Sequence, residues 1–365
     1  MKLLPMVHLY IFCVTGIAAT AFSQNLILPN NPNIQYFGRW DKSDSTHYRY
    51  SWPGVYICCE FTGTSVGVRL VDATNYFNVY IDGKLRSVFH CTKGGEADYT
   101  LAEGLAAGKH TLRFSRRNIT FEKPYSFCGI ILDKGATLLP PSPKPARKIE
   151  FIGDSFTAAE SDEATSPSLP WEERYPVTNI DRGFAADIAE HFGAQNTTTC
   201  RSGSGMVCDW QGNVNESIPK KFDRTLMESA EPKWDFNKWV PNVVVVCLGL
   251  NDYSGLRSKD GTVTSENSIL FRTTYHDFLG TLRSVYPTVR IVAVAAYPDW
   301  IRQNVKQVVD EERASGRTDI YYSTFDEFPG GYVANGHPTV ATHRKMADQM
   351  IKDMESFGLF AAPKE

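Results

Sequence analysis

The sequence predicts a two-part chain: an all-β sandwich over residues 24–137, then an α/β domain over residues 148–365 with a mostly parallel sheet between layers of helices. Three observations predict it. In the first part, short apolar runs alternating with polar residues recur at turn spacing. Four prolines then fall within residues 138–145. Beyond them, continuous apolar runs alternate with segments whose apolar residues recur at helical spacing.

The first 23 residues read as a secretory signal peptide. Lys2 supplies the positive end, residues 3–19 are mostly apolar, and Ala21-Phe22-Ser23 before Gln24 suits signal peptidase. The expectation is a secreted or periplasmic protein, free of the membrane after cleavage; the alternative is an N-terminal anchor. In the sandwich, residues 55–61 form a strand closed by Thr62-Gly63-Thr64, and Val66, Val68 and Leu70 alternate along the next one. Residues 76–81 then meet Asp82-Gly83, a strong hairpin signal. Residues 111–114 and 127–132 close the set.

The prolines of the 138–147 stretch cannot continue a sheet or helix, so it reads as a stiff linker. So short a seam favours a packed scaffold over a tethered sugar-binding module. After it, residues 148–152 form a strand, and Phe184, Ile188 and Phe192 share one helical face. Residues 243–248 are a continuous apolar run, as a central parallel strand covered on both sides requires. Helices are expected over 271–286, 299–313 and 340–357, and another buried strand over 291–296.

A net charge of -3 argues against a nucleic-acid partner, which would call for a basic face. Of the 8 cysteines, Cys13 falls in the signal, and the seven that remain cannot all pair internally. No His/Cys cluster has zinc-site spacing, so no structural metal is expected, and a chemistry carried by serine and water requires no organic cofactor.

The candidate chemistry starts at Gly153-Asp154-Ser155, a tight turn directly after a strand. It puts one hydroxyl where open α/β sheets bind their ligands. Three more segments fall at strand ends or helix starts: Arg201-Ser202-Gly203-Ser204-Gly205, Gly249-Leu250-Asn251-Asp252 and Gly336-His337-Pro338. Acyl transfer needs a nucleophile, a base and donors aimed at the developing oxyanion. Ser155 and His337 supply the first two. The N–H groups of Ser155 and Gly203 and the Asn251 amide supply the third. Taken alone, Ser155 is equally a helix N-cap. Asp154 suits a structural role, hydrogen-bonding the turn it sits in, and Asp252 reads as structural rather than catalytic. Trp210, Trp300, Tyr253 and Tyr332 lie near these loops and are candidates for stacking on a sugar, with ordinary packing as the alternative. The acidic run Glu160-Ser161-Asp162-Glu163 reads as a solvated loop.

In this order the four blocks resemble those of the SGNH (GDSL-type) hydrolases. Further upstream, Phe37-Gly38-Arg39-Trp40, Trp52-Pro53-Gly54, Phe61-Thr62-Gly63-Thr64 and Ile81-Asp82-Gly83 resemble the jelly-roll domain of carbohydrate esterase family two. The resemblance implies a jelly roll followed by a three-layer hydrolase domain, and an exported enzyme that removes O-acetyl groups from polysaccharides such as xylan and glucomannan. Its partner would be an acetylated polysaccharide or oligosaccharide. The alternatives are an esterase or lipase for other acyl esters and a carbohydrate-binding protein without activity. One departure stands out. SGNH hydrolases usually place an Asp two or three residues before the histidine, where this chain has Ala334 and Asn335. A Ser155–His337 dyad is therefore expected, with a backbone carbonyl or the Asn335 side chain holding the imidazole. The alternative is a remote acid, Asp326 or Glu327.

Overall fold

The computed structural model describes residues 25–121 and 124–360. The expected signal peptide lies outside the described residues. The first part forms two six-stranded antiparallel sheets. One runs Asp41–Asp44, His47–Tyr50, Tyr125–Leu132, Val66–Val71 and Glu96–Ala102, with Asn25–Ile27 also on Tyr125–Leu132. The other runs Leu138–Leu139, Tyr56–Thr62, Lys109–Arg116, Tyr76–Ile81 and Lys84–His90, with Gln35–Phe37 also on Tyr56–Thr62. Phe61, Val68, Leu70, Val79, Phe127 and Ile130 are buried in the core between them. The hairpin at Asp82-Gly83 forms as expected, with both residues at positive φ.

Pairing runs past residue 137. Leu138 and Leu139 add to the edge at Phe61 and Glu60 before Pro140, which has no N–H to give. Arg147 at the other end already belongs to the next strand, Arg147–Gly153. The connector between them is tied down: the Ser142 N–H donates to the Glu60 carboxylate at 2.8 Å.

The second part is built on a five-stranded parallel sheet in the order Ala194–Cys200, Arg147–Gly153, Val243–Cys247, Arg290–Ala295, Ile320–Thr324. Helices Phe184–His191 and Val340–Ser356 cover one face, meeting Ile149, Phe151, Val243 and Val245. Helices Ser265–Val285 and Asp299–Ala314 cover the other, meeting Ile152, Val244 and Val246. The expected helices are present with their apolar faces inward. The edge strand Ile320–Thr324 is an addition to the expectation, because Tyr-Tyr-Ser-Thr offers no continuous apolar run.

In this strand order the chain reverses direction across the sheet beside Arg147–Gly153. That is the crevice where doubly wound sheets take their ligands. Gly153 pairs with Cys200 on one side and Cys247 on the other, so three loops leave the sheet at one level.

The sandwich is fastened to this domain through buried polar groups. Arg39 pairs with Glu150 at 3.0 Å, both side chains 1% exposed. The Arg39 guanidinium also donates to the Phe222 and Arg224 carbonyls and lies against the rings of Trp52 and Trp234. Glu150 accepts a second hydrogen bond from Thr199 at 2.6 Å. Further along the seam, Asp181 accepts from Asn78, Tyr80, Arg113 and Ser115 of the sandwich. Arg117 donates to the Thr178 carbonyl and to Glu163.

Candidate active site

Ser155 follows its strand through a turn that tolerates no side chain at Gly153. A Cβ there would overlap the Thr157 side chain and stand 2.9 Å from the Cys247 carbonyl. Beyond the turn, the Ala158 N–H donates to the Asp154 carbonyl and the Glu160 N–H to the Ser155 carbonyl, each at 3.0 Å. The coil brings Glu160 back beside Ser155. Asp154 is fully buried, accepts from the Phe156 N–H at 3.0 Å and faces the Asn251 amide at 3.3 Å. Burial pushes its carboxyl up to about 7.

The glycine loop is held by Asp252. Its buried carboxylate accepts from the N–H groups of Met206, Val207 and Cys208 at 2.7, 2.6 and 3.3 Å, and burial pushes it up to about 6. Gly205 packs so closely on Asp252 that a Cβ would overlap the carboxylate. Gly203 sits at φ 80° with Trp210 against it. Asn251 lies in the first turn of the short helix Leu250–Gly255, and its amide donates to the Ser204 carbonyl at 2.9 Å. Its second N–H direction, toward Asp154, is the weaker contact and the one able to turn to an oxyanion.

His337 is 8% exposed, with its ring 6.2 Å from that of Phe156, the residue after Ser155. Its Nδ1 stands 2.7 Å from the Ala334 carbonyl. That contact fixes the tautomer with the proton on Nδ1 and leaves Nε2 as the basic nitrogen. The Asn335 side chain is engaged elsewhere, accepting from the Leu169 N–H at 3.2 Å. Glu327 is exposed and faces Arg302 at 3.6 Å, and Asp326 is exposed. A carboxylate does approach the imidazole, from the other side: Glu160 Oε1 is 3.7 Å from Nε2.

The acidic run is therefore not the solvated loop that its composition suggests. Glu160, Ser161 and Asp162 are each at most 2% exposed. Glu160 pairs with Arg174 at 2.7 Å, and Asp162 accepts from the Asn179 N–H. The Asp162 carbonyl accepts from the N–H of Val340, just beyond His337. These partners are distant in sequence, so a local reading sees only four polar residues. The usable signal was the five-residue step from Ser155 to Glu160. Arg174, the partner of Glu160, lies over Trp171, which stacks on Phe121; no local sequence pattern marks these three.

The aromatic candidates divide. Trp210 is 57% exposed beside Gly203. Trp300 instead packs on Phe271 and Tyr253 and donates its N–H to Ser268 at 2.9 Å, so packing accounts for it. Tyr253 lies under the Arg257 guanidinium, and Tyr332 packs near Phe156 and Tyr297. The seven described cysteines are free thiols. His47, Glu96 and Cys128 cluster within 4.8 Å on the sandwich. Burial pushes the Cys128 thiol up to about 12, and Arg69 lies 3.6 Å from Glu96, so the cluster is poorly suited to a cation.

Beneath His337, His343 is fully buried; its Nδ1 accepts from the Phe184 N–H at 3.4 Å and its Nε2 has no hydrogen-bond partner. Burial, then the neighbouring His337, push it down to about 3 from 6.5. The unfolded chain thus binds a proton there that the folded protein refuses, so stability is lost as pH falls from about 6.5 toward 3. Asp154 and Asp252, pushed up, act with the opposite sign between about 4 and 7. Comparison with a variant isolates the histidine. His343→Gln is expected to change the slope of stability against pH between pH 6.5 and 5 by up to about 1.4 kcal/mol per pH unit, toward greater relative stability at the lower pH. Urea denaturation at both pH values measures it; equal slopes in wild type and variant would contradict it.

The carbohydrate esterase 2 N-terminal family matches residues 36–142. Among curated relatives, the cellulase/esterase CelE of Acetivibrio thermocellus is 30% identical over 336 residues, 90% of this chain and 40% of that protein. An acetylxylan esterase / glucomannan deacetylase of Cellvibrio japonicus is 34% identical over 208 residues, 57% of this chain and 56% of that protein. The chain spans about half the length of these curated relatives. Among solved structures, a family two carbohydrate esterase from Clostridium thermocellum in complex with cellohexaose is 28% identical, with a TM-score of 0.81 over 90% of this chain and 100% of that one.

Proposed function

From a chain that carries the carbohydrate esterase 2 N-terminal domain and shares the two-part fold of that family's solved members, we propose a secreted serine esterase that removes O-acetyl groups from plant polysaccharides such as xylan and glucomannan. The observation that carries the chemistry is the convergence of Ser155, Asn251 and the glycine loop on one sheet end, with His337 Nδ1 held by the Ala334 carbonyl. The relatives' names and the cellohexaose complex support a carbohydrate carrier for the ester.

In this reading Ser155 Oγ attacks the acetyl carbonyl carbon while its proton passes to His337 Nε2. The N–H groups of Ser155 and Gly203 and the Asn251 amide stabilise the oxyanion. The imidazolium then returns the proton to the departing sugar oxygen, leaving acetyl-Ser155. A water, deprotonated by the same nitrogen, releases acetate. Trp210, exposed beside the oxyanion loop, offers a face for a sugar ring.

The test is acetate release from acetylated xylan, acetylated glucomannan and an ester series of rising chain length, with wild type and Ser155→Ala. Ser155-dependent release from a polysaccharide supports the proposal. A preference for long acyl chains would turn the reading to a lipase. Absence of Ser155-dependent release from every substrate would leave only a binding role.

A further inference from the structure

One buried carboxylate near the imidazole has no part in the proposed reaction. Glu160 is 2% exposed, and its Oε1 lies 3.7 Å from His337 Nε2 and 2.7 Å from Arg174. Its backbone is held to the nucleophile by the hydrogen bond to the Ser155 carbonyl. Its neighbours Ala159 and Ser161 have φ of 50° and 58°. Ala334 and Asn335, which aim the Ala334 carbonyl at Nδ1, have φ of 34° and 67°. Four of the six non-glycine residues at positive φ among the described residues thus flank the two groups that face the imidazole. Such strain persists only where surrounding structure enforces it, and it clusters at functional sites.

Resting on the esterase reading, we propose that Glu160 is the displaced acid of this site: a positioning residue that supplies, from the Nε2 side, the negative charge that an aspartate usually supplies at Nδ1. The Ala334 carbonyl orients the ring but carries no net charge. When Nε2 takes the serine proton, the new positive charge is stabilised by the carboxylate 3.7 Å away. That separation is too long for a hydrogen bond, so Glu160 does not draw the proton off before the leaving oxygen receives it. Arg174, 2.7 Å away, fixes the carboxylate in place. His343, buried below and uncharged, adds no competing positive charge.

The test compares wild type, Glu160→Gln and the double variant Glu160→Gln/Arg174→Gln. The readouts are kcat and KM on a small acetate ester and the rate at which a fluorophosphonate labels Ser155. Removing an acid hydrogen-bonded to the imidazole costs about 10⁴ in kcat; at ion-pair distance a loss of about 30- to 100-fold is expected, with KM within threefold. Labelling should slow in parallel. The double variant removes the orphaned arginine charge and should recover folding stability while remaining slow. A purely structural ion pair would recover rate together with stability, which would overturn the proposal, as would Glu160→Gln labelling at the wild-type rate. If wild type itself fails to label at Ser155, the serine-esterase reading falls and takes this one with it; equal labelling of wild type and variant removes the Glu160 role alone.

Discussion

Alanine at His337 is expected to lower kcat for ester hydrolysis by about 10⁵- to 10⁶-fold, and alanine at both Ser155 and His337 to lower it little further. In the proposed mechanism the two residues act as one unit: without the base the hydroxyl keeps its proton, and without the hydroxyl the base has nothing to activate. The remaining rate would come from the proposed oxyanion donors, whose glycine loop Asp252 holds through three backbone N–H groups. KM should change little, since His337 is 8% exposed and offers scant surface to a sugar. Active-site titration and steady-state kinetics on folded variants measure this. The companion result is that Asp326→Asn and Glu327→Gln keep kcat within about twofold, because both side chains are exposed and Glu327 is turned to Arg302. A 10⁴-fold loss in Asp326→Asn would instead mark a remote triad acid.

The second large effect is on stability. Arg39→Ala is expected to cost about 3–5 kcal/mol, because it strands the Glu150 carboxylate on a central strand with no cation. Glu150 keeps the Thr199 hydroxyl but no cation, and the guanidinium's bonds to the Phe222 and Arg224 carbonyls are lost as well. The ring faces of Trp52 and Trp234 lose their cation too. Arg39→Met combined with Glu150→Leu removes both charges and keeps the volume, so most of the loss should return. Urea midpoints of wild type, single and double variants decide it. If the single variant unfolds like wild type, the pair contributes nothing.

Much of this arrangement was legible in the chain itself. The strand ending at Gly153, the valine run and the helical faces of Phe271, Tyr275, Phe278 and Leu282 are local signals, and each element is present. Because loops after parallel strands converge at one sheet edge, placing Ser155, Gly203 and Asn251 at strand ends placed them together. The support of the imidazole was half legible. The missing aspartate pointed to a backbone acceptor, and the Ala334 carbonyl occupies that place. Glu160 was hidden because a run of acidic residues ordinarily belongs to solvent, and the cations that meet this run, Arg174 at Glu160 and Arg117 of the sandwich at Glu163, come from elsewhere in the chain. Trp300 misled for the converse reason: position near a strand end says nothing of which way an indole turns.

The seam at Asp181 and Arg117 bears on how such a protein can be rebuilt or recombined. The loop between Ser155 and Asp181 carries Glu160, and it is gripped from the sandwich by Arg117 at Glu163 and by four donors at Asp181. An α/β half excised at the proline connector would keep every residue that touches substrate in the proposed reaction, yet lose the clamp on the stretch that sets the electrostatics around its base. By these contacts the sandwich is part of the machinery rather than an exchangeable accessory, and a rebuilt protein should keep the two halves together.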